Sequence, residues 1–405
     1  MTDGFIIHEL SEYESIDLSM SPDTARDLIR VSQRRVLVAP GPAQGFFRVQ
    51  AQQFVGTIVL PEFALLIRPK VTVENLLHLL GIGIPATAWL PDEFRYATTK
   101  DLLAAFAEYY AKATKAAVAK GLLRSYRQER DRVSALRGRL DFPTMLGQPA
   151  RPFPLPCLFD DYTADIIENR TLRAAIRRLL RLVGVPSNTR SALLQLLGRF
   201  EEVADEPTNL ELVDRLLFTR LNAHYEAPIK LAALILRGSS LADRAGRVAA
   251  SAFLIDMNDV FQRFLTAKLQ EALRGRLGVE SEPRHHLAVR RQVEMYPDLV
   301  FRGGGRVVYV GDAKYKVTTT GRALNSDYYQ LLAYTTSLDL DEGILVYCRA
   351  DGPVPPRMIE VQHVGKRLWT WSVTLAGGPR DIDASVYGLS EWILGRLPSA
   401  RPVAA

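Results

Sequence analysis

The chain has 405 residues, too many for one small core, and predicts two or three domains. It is 47% hydrophobic and 24% charged, the balance of a folded protein with a polar surface. No apolar run reaches the ~18 residues of a transmembrane helix, so no membrane association is expected. The opening Met1-Thr2-Asp3-Gly4-Phe5-Ile6-Ile7-His8 has no basic stretch followed by an apolar one, so no signal peptide is evident. Cys157 and Cys348 are the only cysteines, which supports neither a disulfide framework nor a zinc site. A cytoplasmic location is the resulting expectation.

In chain order, residues 1–95 read as a β-rich N-terminal domain. Apolar segments at Phe5-Ile6-Ile7, 35–38, 46–50, 54–60 and 64–70 predict short strands, the last two joined by the hairpin connection Pro61-Glu62-Phe63. Their spacing suggests a small barrel or a curled sheet. Ser21-Pro22 predicts a helix start, with serine at the cap and proline in the first turn. A short helix is predicted over 73–80.

Residues 96–245 read as a mainly helical, basic middle region. Thr99 is placed to cap a helix that runs past Val118 and stops at Gly121. Further helices are predicted over 164–183, 189–203, 210–219 and 222–236. The net charge of +6 is concentrated here, with fourteen Arg against seven Asp or Glu between 121 and 200. Such a segment can contact phosphates, or it can be a solvated helix surface.

Residues 246–405 read as a C-terminal domain. One long helix is predicted over 253–275, because apolar residues at 254, 257, 260, 261, 264, 265 and 269 form one stripe. Then come a hairpin at 296–316, a helix over 327–338, the apolar strand 343–347, strands near 359–361 and 368–373, and a helix over 384–397. The whole is a multidomain α/β (α+β) chain that ends in a mixed sheet flanked by helices.

The hairpin carries the chemistry. Tyr296-Pro297-Asp298 leads into an apolar strand, Gly303-Gly304-Gly305 makes the turn, and a second apolar strand ends at Asp312-Ala313-Lys314. Strand residues two apart share a side, so Asp312 and Lys314 point together and Ala313 points away. The turn folds Asp298 back toward them. Asp298, Asp312 and the Ala313 carbonyl are hard oxygen donors suited to Mg²⁺, with Mn²⁺ a substitute. Lys314 can hold a water or contact a phosphate. His285 and His286 precede the hairpin and read as flanking residues, since a hard cation favours oxygen.

The pattern Pro-Asp, thirteen residues, Asp-Ala-Lys resembles the PD-(D/E)XK nuclease superfamily. Gln330 and Tyr334, four apart on the next helix, resemble the Gln-x-x-x-Tyr element of some of its branches. More specifically, the chain is similar to the McrC family. The resemblance lies in 54–71, with Gly56-Thr57-Ile58-Val59-Leu60-Pro61 and Ile67-Arg68-Pro69-Lys70; in Arg137-Gly138-Arg139-Leu140; in Asn169-Arg170-Thr171-Leu172; in 253–264; and in 298–334. At 262 that family usually has Glu, and here Gln262 stands in its place. Glutamine can accept through its carbonyl but adds no charge, so the site would hold two carboxylates unless Glu294 supplies a third.

The resemblance implies a Mg²⁺-dependent DNA endonuclease subunit of an McrBC-like restriction complex, acting on double-stranded DNA in defence against foreign DNA. It implies Asp298, Asp312 and Lys314 as the catalytic centre, supported by Gln330, Tyr334 and Gln262. It also implies an McrB-like AAA+ GTPase hexamer as partner. The N-terminal region would insert into that ring and stimulate hydrolysis, and two C-terminal domains could pair as a homodimer. Arg48, Arg68 and Lys70 are candidate contacts to an acidic partner surface. The chain has no Gly-x-x-x-x-Gly-Lys-Ser/Thr motif, so no nucleotide site of its own is expected. Two alternatives stand beside this reading. One is a catalytically weak or inactive adaptor that stimulates and bridges AAA+ rings. The other is a stand-alone nuclease, which would not need the long region before 246.

Overall fold

The computed structural model describes residues 6–81, 102–148, 151, 153–244, 247–288, 290–315, 325–349, 352 and 354–397. Thr99, Pro149, Pro152 and Lys316 lie outside the described residues. Among the described residues, no helix is long and apolar enough to cross a membrane.

The N-terminal strands form as the alternation predicts, but in two sheets. The smaller one orders Ser15–Ser19, Phe46–Ala51 and Val36–Pro40. The larger has five strands, in the order Ile6–Ser11, Phe63–Arg68, Phe54–Val59, Arg247–Asp256, Ser239–Arg244. The Pro22–Ser32 helix starts where Ser21-Pro22 predicts it, with Ser21 Oγ accepting the Thr24 N–H at 3.0 Å. Leu28 of that helix packs with Val49, Ile58, Leu65 and Leu254 between the sheets.

One expectation is corrected here. The predicted helix over 253–275 begins only at Met257. Residues up to Asp256 are strand, pairing antiparallel with Phe54–Val59. Asp256 then caps the Met257–Ala272 helix by accepting the Asn258 N–H at 2.9 Å. A strand buried on both faces is apolar throughout, so its residues also satisfied the helical stripe. The first sheet also takes two strands from 239–256, on either side of the expected 245/246 boundary, while 95/96 lies outside the described residues.

The middle region is not wholly helical either. Helices Leu102–Ala117, Ile167–Arg181, Ser187–Leu197 and Glu226–Gly238 share one core with the Met257–Ala272 helix. Beside them the charged segment Ser125–Val133 pairs with Leu155–Thr163, which also pairs with Arg139–Leu140. The arginines of the Ile167–Arg181 helix are engaged within the protein. Arg170 bonds Asp165 and Glu206, Arg173 donates to the Val203 carbonyl, Arg177 bonds Asp205, and Arg178 donates to the Ser239 carbonyl. These side chains fasten the helix to neighbouring segments, Arg177 from a half-exposed position.

The C-terminal sheet has six strands, ordered Gly278–Glu280, Leu299–Gly303, Arg306–Lys314, Glu342–Arg349, Arg367–Thr374, Arg357–Glu360. Arg306–Lys314, Glu342–Arg349 and Arg367–Thr374 run parallel, and the remaining pairings are antiparallel. Residues alternate between its faces. Ile344 and Val346 face the Met257–Ala272 and Pro379–Leu394 helices, while Leu345 and Tyr347 face the Asn325–Ser337 helix. Gly343 sets how closely that last helix lies, since a Cβ there would sit 2.7 Å from Thr335 Cγ2 and 2.9 Å from Leu331 Cδ1.

The turn between the first two strands meets the C-terminal sheet at a buried polar junction. Glu12 is 1% exposed. Its Oε1 accepts the Tyr315 hydroxyl at 3.0 Å and the Lys70 N–H at 3.1 Å. Burial is the dominant influence and pushes the Glu12 carboxyl from 4.5 up to about 7, against the lowering effect of those two donors and of the Lys70 charge.

Two outcomes follow from this packing. Gly343→Val should lower the unfolding free energy by about 1–3 kcal/mol in chemical denaturation, because the helix must lift from the strand. A carboxyl raised on folding contributes stability that is present below its unfolded value and lost as pH rises through its folded one. Native protein should therefore lose up to ~3 kcal/mol relative to Glu12→Gln between about pH 4.5 and pH 7. Denaturation curves with the same pH dependence for both proteins would contradict this.

Candidate active site

The hairpin forms as its glycines predict. Leu299–Gly303 and Arg306–Lys314 are joined at Gly304 and Gly305, whose φ values of +57° and +79° are both left-handed. The predicted turn is shorter by one residue, since Gly303 pairs with Arg306. Leu299 opposes Gly311, so one further step along the register brings Asp298 beside Asp312. Asp298 Oδ2 accepts the Ala313 N–H at 2.9 Å, which anchors the first acid to the second strand.

Strand alternation separates the functional side chains from their neighbours. Ala313 is packed with Leu299, Phe301, Ile344 and Val346 under the Met257–Ala272 helix. Asp312 and Lys314 take the other side, with Val310, Leu345 and Tyr334. Asp312 is 0% exposed, and Lys314 Nζ lies 2.7 Å from its Oδ2. Neither Asp312 oxygen receives a hydrogen bond of regular geometry from the described residues.

Burial first, and the charge of Asp312 second, push the Asp298 carboxyl up to about 7. Burial also raises Asp312, against the ammonium of Lys314. A carboxyl beside another carboxylate in a buried site gains proton affinity. Burial disfavours the Lys314 ammonium, but the Asp312 carboxylate beside it prevails and raises its proton affinity. Burying these charges costs several kcal/mol in the absence of a compensating ligand.

The Asn325–Ser337 helix brings Gln330 and Tyr334 to the same place. Gln330 Nε2 donates to the Tyr334 hydroxyl at 2.6 Å, and that hydroxyl lies 3.5 Å from the Tyr296 carbonyl, two residues before Asp298. Burial pushes the Tyr334 hydroxyl up to about 12, and the nearby charges of Asp312 and Asp298 add to this.

Two other expected members lie apart. Gln262 is half-buried on the Met257–Ala272 helix, which packs on the Ala313 side of the sheet, and no described contact joins it to the acids. Glu294 is in a separate two-stranded ribbon with His285 and His286, bonded to the Tyr296 hydroxyl at 2.6 Å and 3.5 Å from Arg284. It does not supply a third carboxylate to the pair.

Sequence reasoning missed Asp327 and Tyr347. The Tyr347 hydroxyl donates to Asp327 Oδ2 at 2.7 Å, both residues are buried, and the Asp327 charge acts on both Asp312 and Lys314. The signal was available, because Asp327, Gln330 and Tyr334 fall on one helix face. Tyr347 also pairs with Lys314 across the parallel strands, although that pairing was not legible.

The donor set fits a hard cation of limited protein ligation. Among the described residues no group of three His, Cys, Asp or Glu is arranged around a metal position. Two touching carboxylates are the arrangement by which Mg²⁺ is held when substrate oxygens and waters fill its remaining positions. The under-bonded oxygens of Asp312 are chemically suited to it. The charges engaged elsewhere also bear on partner contacts. Arg48 pairs bidentately with Asp17 at 2.8 and 2.9 Å, Arg68 pairs with Glu9, and Lys70 Nζ sits 5.4 Å over the Tyr13 ring.

The chain is similar to a refined half-complex from the tetradecameric assembly of Thermococcus gammatolerans McrB AAA+ hexamers with bound McrC. The two share 18% identity and a TM-score of 0.56, over 95% of this chain and 100% of that one. It is also similar to a cryo-EM structure of the Thermococcus gammatolerans McrBC complex, at 21% identity and a TM-score of 0.42, over 66% of this chain and 88% of that one. Among curated proteins, none matches. Residues 49–348, more than half of the chain, match the family described as McrBC 5-methylcytosine restriction system component. The chain belongs to the McrBC 5-methylcytosine restriction system component family.

Proposed function

We propose that this chain is the DNA-cutting subunit of an McrBC-like restriction complex, a Mg²⁺-dependent endonuclease of the PD-(D/E)XK kind that acts on double-stranded DNA. The observation that carries this reading is the buried convergence of Asp298, Asp312 and Lys314 at one sheet end, with Lys314 Nζ 2.7 Å from Asp312. Asp298, Asp312 and the Ala313 carbonyl would hold Mg²⁺, or Mn²⁺ in its place. When bound, the cation supplies positive charge at the phosphate where negative charge develops. Asp312 holds Lys314 charged and aimed, so that its ammonium can orient a water or contact a phosphate oxygen. The Gln330–Tyr334 pair stands beside Asp298 and supports the DNA backbone or the lysine.

The fold likeness to McrC bound to McrB AAA+ hexamers supports a ring partner. In this reading an McrB-like GTPase hexamer receives the N-terminal region, is stimulated by it, and licenses cutting. Two C-terminal domains pair so that both strands are cut. The observation that favours the adaptor alternative is Gln262, which adds no charge and stands outside the acid cluster.

Single substitutions of Asp298, Asp312 or Lys314 by alanine should each lower single-turnover cleavage by at least about 100-fold while the partner's GTP hydrolysis is still stimulated. Calorimetry should show Mn²⁺ binding that disappears in Asp312→Ala. Native cleavage by all three variants would end the nuclease reading. Absence of Mn²⁺ binding by the native chain, with GTPase stimulation intact, would favour the adaptor.

A further inference from the structure

Lys314 is the last residue of its strand, and the chain immediately beyond it is held from the N-terminal lobe. Tyr315 is fully buried, with its ring 6.2 Å from that of Phe261. Its hydroxyl donates to Glu12 Oε1 at 3.0 Å, and its main-chain carbonyl accepts the Tyr13 hydroxyl at 3.2 Å. Both ends of one residue are thus gripped by two consecutive residues some three hundred positions away in sequence. The Lys70 N–H, at 3.1 Å from the same Glu12 oxygen, ties the grip to the sheet strand before it.

The grip carries costs that simple packing would not require. A glutamate is buried at the junction with its Oε2 unpartnered. Tyr13 takes a left-handed backbone, φ +66°, which a bulky residue rarely adopts. That conformation turns the chain between Ile6–Ser11 of the five-stranded sheet and Ser15–Ser19 of the three-stranded one. Glu12 and Tyr13 therefore sit where the two N-terminal sheets meet and reach the residue next to the site lysine.

We propose that Glu12 and Tyr13 are positioning residues for Lys314, acting through Tyr315, so that the N-terminal lobe completes the geometry of the cutting site. The inference rests on the nuclease reading of Asp298, Asp312 and Lys314. Its consequence is a mechanical link. A displacement of the N-terminal sheets turns the Glu12–Tyr13 pair, shifts Tyr315, and moves the ammonium relative to Asp312. A shift of about 1 Å in such a group is enough to change a rate by about 100-fold.

The test uses the full chain with its ring partner, double-stranded DNA and Mg²⁺, and the variants Tyr13→Phe, Glu12→Ala, Glu12→Gln and Asp312→Ala. Tyr13→Phe and Glu12→Ala should each reduce the single-turnover rate by about tenfold or more, with DNA affinity and GTPase stimulation at native values. Amide exchange over 311–315 should quicken in the isolated chain. Glu12→Gln should recover cleavage to within about threefold, because its carbonyl accepts the same two bonds. Native rates in Tyr13→Phe and Glu12→Ala, with Asp312→Ala dead, would overturn the positioning role and leave the nuclease reading intact. A loss in Glu12→Ala matched by loss of folded protein, with Tyr13→Phe native, would reduce the junction to a structural one and overturn it as well. Cleavage by Asp312→Ala would remove the nuclease reading and this inference together.

Discussion

The pair of Asp312 and Lys314, 2.7 Å apart with the acid fully buried, is the interaction on which the C-terminal domain is arranged. A buried ion pair recovers its desolvation cost only if its surroundings hold it rigidly. The surroundings do so from three directions. Asp298 is tied to the same strand through the Ala313 N–H, the Asn325–Ser337 helix lies close because Gly343 has no side chain, and Tyr315 is clamped from behind. Burial lowers the proton affinity of the ammonium, and the Asp312 carboxylate beside it more than offsets that effect.

The architecture explains why the chain is not a string of separable modules. Strands 239–244 and 247–256 complete the first sheet, and the helix that follows at once, Met257–Ala272, backs the last one. One continuous segment is thus strand in the N-terminal lobe and supporting helix in the C-terminal domain. Contacts such as His78 with Asp383, 2.8 Å apart, and Asn75 Nδ2 with the Leu375 and Gly377 carbonyls, at 3.0 and 2.9 Å, join the same two parts. Hydrogen bonds and packed side chains connect these two parts.

Much of the site was legible because its rules are local. Parity along a strand placed Asp312 and Lys314 together and sent Ala313 away, and the glycine turn brought Asp298 back. The four-residue spacing of Gln330 and Tyr334 put them on one helix face, and Ser21-Pro22 announced its helix. The departures have separate causes. At 253–256 an apolar run satisfied both a helical stripe and a doubly buried strand. Glu294 shares parity with Asp298, but Pro297 and the separate ribbon at Glu294–Met295 interrupt the strand that parity assumes. Gln262 joins the acids only through the family resemblance, which has Glu at that position, and its helix packs on the Ala313 side of the sheet.

The sequence by itself therefore determined the hairpin, the acids and lysine gathered at its end and the helix that follows, since each depends on residues within a few positions of one another. The tertiary structure alone decided the rest. It set which strands close the first sheet, which helix faces which side of the second, that Asp327 and Tyr347 border the acid pair, and that Glu12 reaches Tyr315. Those facts depend on contacts between distant segments, whose pairing is chosen by packing the whole chain and leaves no periodic trace in any one of them.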